Sequence, residues 1–202
     1  MAASDSDLRL DPLSAEGFTC LAAGALTDRL EEEIARAERH GTQLSCVLVV
    51  IENLEEVSRE HGSELAEQML TYVGAAMQRE LRRFDRIGRP ADAELMLVLP
   101  GADSTRSEMV ARRLLERIRA IKVEADGRRY PLRFSLGLAP WRQDSSAEEL
   151  LARARAATRS ANGNGENASA GGPPPVPPAR HQAGPAEPPD GGGSTFGGTS
   201  PS

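Results

Sequence analysis

The sequence predicts an α+β fold, a mostly antiparallel central sheet flanked by helices and connected like a ferredoxin-like palm. Three observations point there. Leu44-Ser45-Cys46-Val47-Leu48-Val49-Val50-Ile51 is a run rich in β-branched residues that reads as a buried strand. Amphipathic helical stretches alternate with this strand and with later strand pairs in the order α-β-α-β-β-α-β-β-α, which contains split βαβ units. Near Gly163 the composition changes sharply to Gly, Pro, Ser, Ala and Asn, so the folded part ends there.

Each element has its own local signal. Leu26, Leu30 and Ile34 share one face of a first helix. Ser63 is placed to cap a long helix that carries Leu65, Met69, Val73, Met77 and Leu81 on one side. Arg86 to Pro90 and Glu94 to Leu99 form a hairpin. Thr105-Arg106-Ser107-Glu108 reads as a capping box, opening a helix with Val110, Leu114, Ile118 and Ile121 inward. Lys122 to Glu124, a turn at Asp126-Gly127, and Tyr130 to Pro140 give further strands. Ser146-Ala147-Glu148-Glu149 caps the last helix.

A length of 202 residues suits one domain with extensions: a flexible N-terminus over 1–15, a globular domain over 16–162 and a disordered Pro/Gly-rich tail over 163–202. The tail, centred on Pro173-Pro174-Pro175-Val176-Pro177-Pro178, buries too little apolar surface to offset its ordering entropy. Cys20 and Cys46 have neither metal spacing nor a disulfide framework, which places the chain in a reducing cytoplasm. The polar, acidic first residues are not a secretory signal, and the apolar run from Cys46 to Ile51 is too short to span a membrane. A net charge of -6 and only 3% aromatic residues argue against nucleic acid as a partner. His40, His61 and His181 are scattered and suggest neither a triad nor a metal site, and Trp141 reads as a packing residue.

One stretch carries more than fold: Arg89-Pro90-Ala91-Asp92-Ala93-Glu94-Leu95, followed by an apolar strand and Pro100-Gly101. It resembles the signature of GGDEF domains, the diguanylate cyclases, written Arg-aromatic-Gly-Gly-Asp-Glu-Phe. In that register Ala91 and Asp92 stand for the two glycines, Ala93 and Glu94 for the two acids, and Leu95 for the Phe. The resemblance extends along the chain. Val50-Ile51-Glu52-Asn53-Leu54-Glu55 lies where the family writes Asp-x-Asp-x-Phe-Lys, and Ser58 to Ser63 stands for Asn-Asp-x-x-Gly-His. Ala66-Glu67 stands for Gly-Asp, and Phe134-Ser135-Leu136-Gly137-Leu138-Ala139 matches the Ser-Ile-Gly-Val-Ala strand. Phe18-Thr19-Cys20-Leu21 echoes Leu-Thr-Gly-Leu.

The resemblance implies a fold and a chemistry. Diguanylate cyclases join two GTP molecules through metal-assisted attack of a 3′-hydroxyl on an α-phosphate, and the metals need hard oxygen ligands. The family supplies them at positions 50, 93 and 94, which here are Val50, Ala93 and Glu94. Glu52, two residues from Val50 and so on the same strand face, is a replacement of different reach. The guanine-contacting Asn and Asp are Ser58 and Glu67, and the phosphate-contacting lysines are Glu55 and Asn162. Asp92 adds a side chain and a charge to a turn where bare glycine backbone would approach the nucleotide, at a cost on the order of 1–4 kcal/mol. Val50, Glu52, Ala91, Asp92, Ala93 and Glu94 therefore read as a vestigial active site, with no catalytic residue, no metal and no cofactor.

A second family feature reads as kept. Arg82-Arg83-Phe84-Asp85 has the form Arg-x-x-Asp and precedes Ala91 by five residues, as the inhibitory product site of active cyclases does. Arg113 takes the place of a further arginine that grips the same ligand. That ligand is cyclic di-GMP, whose phosphates and guanine edges suit an arginine fork, while Asp85 can accept from guanine N–H groups. The alternative for Arg82 and Asp85 is a local solvated pair at a helix end. The expectation is an inactive GGDEF domain that reads cyclic di-GMP at Arg82, Asp85 and Arg113 and signals to an unnamed protein partner; a homodimer is compatible with that role. A nucleotide-independent scaffold and a residually active cyclase using Glu52 and Glu94 are the alternatives. The chain shows no receiver, PAS or membrane sensor segment, so input is expected through the ligand or the partner.

Overall fold

The computed structural model describes residues 18–121, 123–125 and 128–164. The expected N-terminal extension, the Asp126-Gly127 turn and all of the expected tail but Gly163 and Asn164, which close the last helix, lie outside the described residues. The elements, in order, are α1 (Ala23–His40), β1 (Leu44–Ile51), α2 (Leu54–His61), α3 (Ser63–Gln78), β2 (Arg86–Ala91), β3 (Glu94–Pro100), α4 (Ser104–Arg119), β4 (Val123–Ala125), β5 (Arg128–Tyr130), β6 (Phe134–Pro140) and α5 (Ala147–Asn164).

Four strands form one sheet in the order β2-β3-β1-β6, with each neighbouring pair antiparallel. β1 and β2 therefore run parallel with β3 between them, which is the split βαβ arrangement expected from the sequence. β4 and β5 pair as a separate ribbon.

Alternation along β1 explains the uninterrupted apolar run. Val47, Val49 and Ile51 join one core with Val57, Met69, Val73, Leu114 and Ile118 from α2, α3 and α4. Cys46 and Leu48 join a second core with Leu26, Leu30, Leu150 and Ala154 from α1 and α5. β3 divides the same way, Leu95, Leu97 and Leu99 against Met96 and Val98. Strands covered on both faces need apolar residues at every position, not every second one.

Several local readings differ from the structure. α2 has no counterpart in the expected element order. It is one short helix with two buried residues, Leu54 and Val57, and too few turns to show a period. α4 is capped by Asp103, whose carboxylate accepts the Arg106 N–H at 2.8 Å, so the box read at Thr105 to Glu108 lies inside the helix. Ser63 is the first residue of α3, not its cap; Gly62 precedes it at φ 94°, a conformation that suits glycine. α3 ends at Gln78, so Leu81 packs on the core from the following loop. The strand read from Tyr130 to Pro140 is two, because Pro131 has no N–H to continue a ladder. The Ser146 box forms as read: the Ser146 N–H donates to Glu149 Oε2 at 3.1 Å and the Glu149 N–H to Ser146 Oγ at 3.2 Å.

α5 lies against β6 at backbone range. A Cβ added at Gly137 would overlap the carbonyl oxygen of Ala154 and stand 2.8 Å from the Thr158 amide nitrogen. Helix backbone cannot give way as a side-chain tip can. Gly137→Ala is expected to destabilise the domain by about 1–3 kcal/mol, read as a lower midpoint in urea. An unchanged midpoint would show that α5 rides further from the sheet.

Candidate nucleotide-binding sites

Two groups of residues lie at opposite ends of β2. The hairpin end holds Ala91 to Glu94; the other end holds Arg82 to Arg86. Four strand residues separate Arg86 from Ala91, a span of roughly 17 Å.

At the hairpin end, Val50 is paired on one side with Glu94 and on the other with Ser135. Val50 packs with the α1/α5 core, and Ala93 packs with the core on the other face. Glu94 turns toward α5, where Arg155 grips it. Arg155 Nε donates to both carboxylate oxygens at 3.0 and 3.1 Å, and Nη2 donates to Oε2 at 2.7 Å. The Glu94 side chain is only 16% exposed, so this fork works in a partly desolvated place. Hydrogen bonding to Glu94 holds the Arg155 guanidinium above its ordinary pKa.

Arg89 forms the second fork. Its Nη1 and Nη2 donate to the two oxygens of Glu67 at 2.6 and 2.7 Å, and Nη2 also donates to the Asp92 carbonyl at 2.9 Å. The hydrogen bond from Arg89 holds the Glu67 carboxyl below the usual range. Asp92 itself is fully exposed. Neither Asp92 nor Ala93 has positive φ, so the turn is not one of the primed types that two-residue hairpins favour. The pairing register of β2 and β3 shifts between Gly88 and Ala91, a bulge that brings Arg89 and Pro90 into the extra space.

Glu52 falls just past the end of β1, in a turn, and not on the strand face beside Val50. Its carboxylate accepts a hydrogen bond from Ser135 Oγ, and its N–H donates to the Arg133 carbonyl at 2.8 Å. Among the described residues no group of three His, Cys, Asp or Glu side chains could hold a metal ion. The side-chain donor set does not fit a divalent cation: Val50 and Ala93 offer no side-chain oxygen, and Arg155 neutralises Glu94.

The other end is open. The Arg82 N–H donates to Asp85 Oδ2 at 2.7 Å and the Asp85 N–H to the Arg82 carbonyl at 3.1 Å, so these two residues close one tight turn after α3. The turn borders a cleft of about 460 Å³ against the segment Thr19 to Leu21. Arg82, Arg83, Asp85 and Arg86 reach the cleft, over an apolar wall of Leu21, Leu81 and Ile87. Arg113 is not among its lining residues. Its Nη2 donates to the Glu80 carbonyl at 3.1 Å and its Nε lies 3.4 Å from Glu80 Oε2. Arg117 approaches the same carboxylate at 3.9 Å. The structure thus joins Arg82 with Asp85 and leaves Arg113 on α4 in a pair of its own. Phe84, inside the motif, is 69% exposed.

Sequence reasoning missed Arg155 and Arg89 as partners of Glu94 and Glu67, and Arg83 and Arg86 as cleft residues. The charge run Arg82-Arg83-Phe84-Asp85-Arg86 was the available signal for the last two.

Comparison with known proteins agrees with this architecture. Residues 19–168 match the family model described as diguanylate cyclase, GGDEF domain. Diguanylate cyclase DgcP of Pseudomonas aeruginosa is 25% identical over 130 residues, 64% of this chain and 19% of that protein. Diguanylate cyclase DosC of Escherichia coli K12 is 28% identical over 138 residues, 68% of this chain and 30% of that protein. The chain thus spans between a fifth and a third of these relatives. Among solved structures, diguanylate cyclase SiaD of P. aeruginosa, in complex with its activator SiaC, superposes with a TM-score of 0.68 at 25% identity. That match covers 73% of this chain and 57% of SiaD. The GGDEF domain of DgcB from Caulobacter crescentus, in complex with c-di-GMP, gives 0.71 at 18% identity over 85% of this chain and 97% of its own. No helix among the described residues is long and apolar enough to cross a membrane. With the family model matching residues 19–168, nearly the whole folded region, the chain belongs to the GGDEF domain family.

Proposed function

We propose that this GGDEF domain does not turn over GTP and acts as a cytoplasmic receptor for cyclic di-GMP, signalling through a protein partner. The observation that carries the reading is the contrast between the two ends of β2. At the hairpin end both carboxylates that could serve a nucleotide or its metal, Glu94 and Glu67, are held by arginine forks. Breaking the Arg155 fork to admit a magnesium triphosphate would unpair the largely buried Glu94 carboxylate and gain few ligands in return. At the opposite end Arg82 and Asp85 border an open cleft with spare positive charge. Arg82 supplies a fork for a phosphate or guanine edge, and Asp85 accepts from guanine N–H groups. Arg113 joins them by exchanging Glu80 for the ligand. SiaD, solved with its activator, is a precedent for a partner protein on this fold. A nucleotide-independent scaffold is the second reading, and exposed Phe84 and Met109 favour it as apolar anchors for a partner.

Incubation of the protein with GTP and magnesium or manganese is expected to yield no cyclic di-GMP by chromatography. Product that disappears in Glu94→Ala would overturn the non-catalytic reading.

Titration calorimetry is expected to detect cyclic di-GMP binding. Arg82→Ala should weaken it by roughly one to two decades, the worth of one charge-assisted contact. The melting temperature of the free protein should hardly move, because the Arg82 side chain is exposed. Absence of any heat at high ligand concentration would leave the scaffold reading in place.

A further inference from the structure

The cleft beside Arg82 holds more cation than an Arg-x-x-Asp motif supplies. Three arginines, Arg82, Arg83 and Arg86, line it with one acidic residue, Asp85. That carboxylate is engaged by the Arg82 main-chain N–H.

Arg86 differs from the other two. Arg82 and Arg83 are exposed, whereas Arg86 opens β2 and is half-buried. Its Nη1 donates to the carbonyls of Arg83 and Asp85, both at 2.8 Å. These bonds fix the plane of the guanidinium, and the remaining N–H groups have no hydrogen bond to the described residues. Side-chain freedom is already lost on folding, so little more is lost when the free edge meets an oxyanion. A half-desolvated guanidinium also attracts an anion more strongly than an exposed one does.

We propose that Arg86 is a further phosphate-binding residue of this cleft, beyond those of the Arg-x-x-Asp motif. Arg82 holds one phosphate of cyclic di-GMP and Arg86 the other, with a base against the wall of Leu21 and Leu81. A volume near 460 Å³ lies within the range of small-molecule sites, and an apolar wall beneath a cationic rim matches the two halves of a nucleotide. The inference rests on the cyclic di-GMP reading and adds to it a residue that the Arg-x-x-Asp spacing does not include.

Cys20 lines the same cleft and gives a local readout. It is part-buried, and burial raises its thiol pKa against the opposing influence of Arg89, so slow alkylation is expected of it. Cys46 is wholly buried and silent. The test uses the full chain and cyclic di-GMP, with 5′-GMP as the one-phosphate comparison. Calorimetry and the rate of Cys20 alkylation by a maleimide are measured for wild type, Arg86→Gln, Arg86→Lys and Arg82→Ala. The expected result is tighter binding of cyclic di-GMP than of 5′-GMP, with slowed Cys20 alkylation at saturation. Arg86→Gln should lose roughly ten- to a hundredfold in affinity. Arg86→Lys should recover only part of that, since it keeps the charge and loses the fork. The melting temperature and ligand-free alkylation rate report whether each variant keeps the turn; if Arg86→Gln does not fold, Arg86→Lys reads the same contact. Wild-type binding with wild-type affinity in the folded Arg86 variants overturns the role of Arg86 alone. Binding that leaves Cys20 reactivity untouched places the ligand outside this cleft and also overturns it. No binding by wild type removes the receptor reading and this inference together.

Discussion

Burial of β1 on both faces constrains everything else in the domain. The strand is hydrogen-bonded to β3 on one side and β6 on the other, and helices cover it above and below. Its polar backbone is satisfied by neighbours, and its side chains can be apolar throughout. Chain polarity follows from this. The crossover through α2 and α3 must bring β2 back parallel to β1, and the hairpin then inserts β3 between them. The Ala91 to Glu94 turn is thereby fixed beside the C-terminal end of β1, and the Arg82 to Arg86 turn at the opposite end of the sheet. The distance between the two candidate sites is set by strand length, not by any contact between them.

The two ends differ in where their charge goes. At the hairpin end, positive and negative groups meet as two bidentate pairs, Arg155 with the largely buried Glu94 and Arg89 with the exposed Glu67. An arginine fork there satisfies carboxylate oxygens that would otherwise need a metal ion or water. In the cleft at the Arg82 end the one lining carboxylate accepts a main-chain N–H, and arginine donors remain for something else. Net charge hides this division: the chain is acidic overall, at -6, yet its open cleft is cationic. Local fields and total charge are separate quantities, and only the first bears on ligand choice.

Periodicity made the large elements legible. The β1 run, the apolar stripe of α3 and the hairpin all follow from burial patterns longer than two turns or four residues. α2 escaped because Leu54 and Val57 are its only buried residues, and two positions define no period. The start of α4 was misplaced because Asp103 and Thr105 are both acceptable caps, and only the backbone decides between them. For the sites, the Arg82–Asp85 spacing was visible because it is local. The fork on Glu94 spans 61 positions and that on Glu67 spans 22, and no spacing rule reaches so far. Arg86 was visible as a charge, but its usefulness depends on two carbonyls that only the folded turn presents.

Leu21 forms a single parallel bridge to Gly88, receiving from the Arg89 N–H at 2.8 Å and donating to the Ile87 carbonyl at 3.0 Å. Those two bonds occupy the outer rim of β2, where an uncovered strand would invite edge-to-edge association with another molecule. The same short segment carries Thr19 and Cys20 along the cleft. The segment is pinned at two points: Phe18 packs over Gly74 against the core, and Leu21 is bonded to Ile87 and Arg89, the first being the immediate neighbour of Arg86. The mouth of the cleft and the rim of the sheet are thus held by one four-residue segment, Phe18 to Leu21.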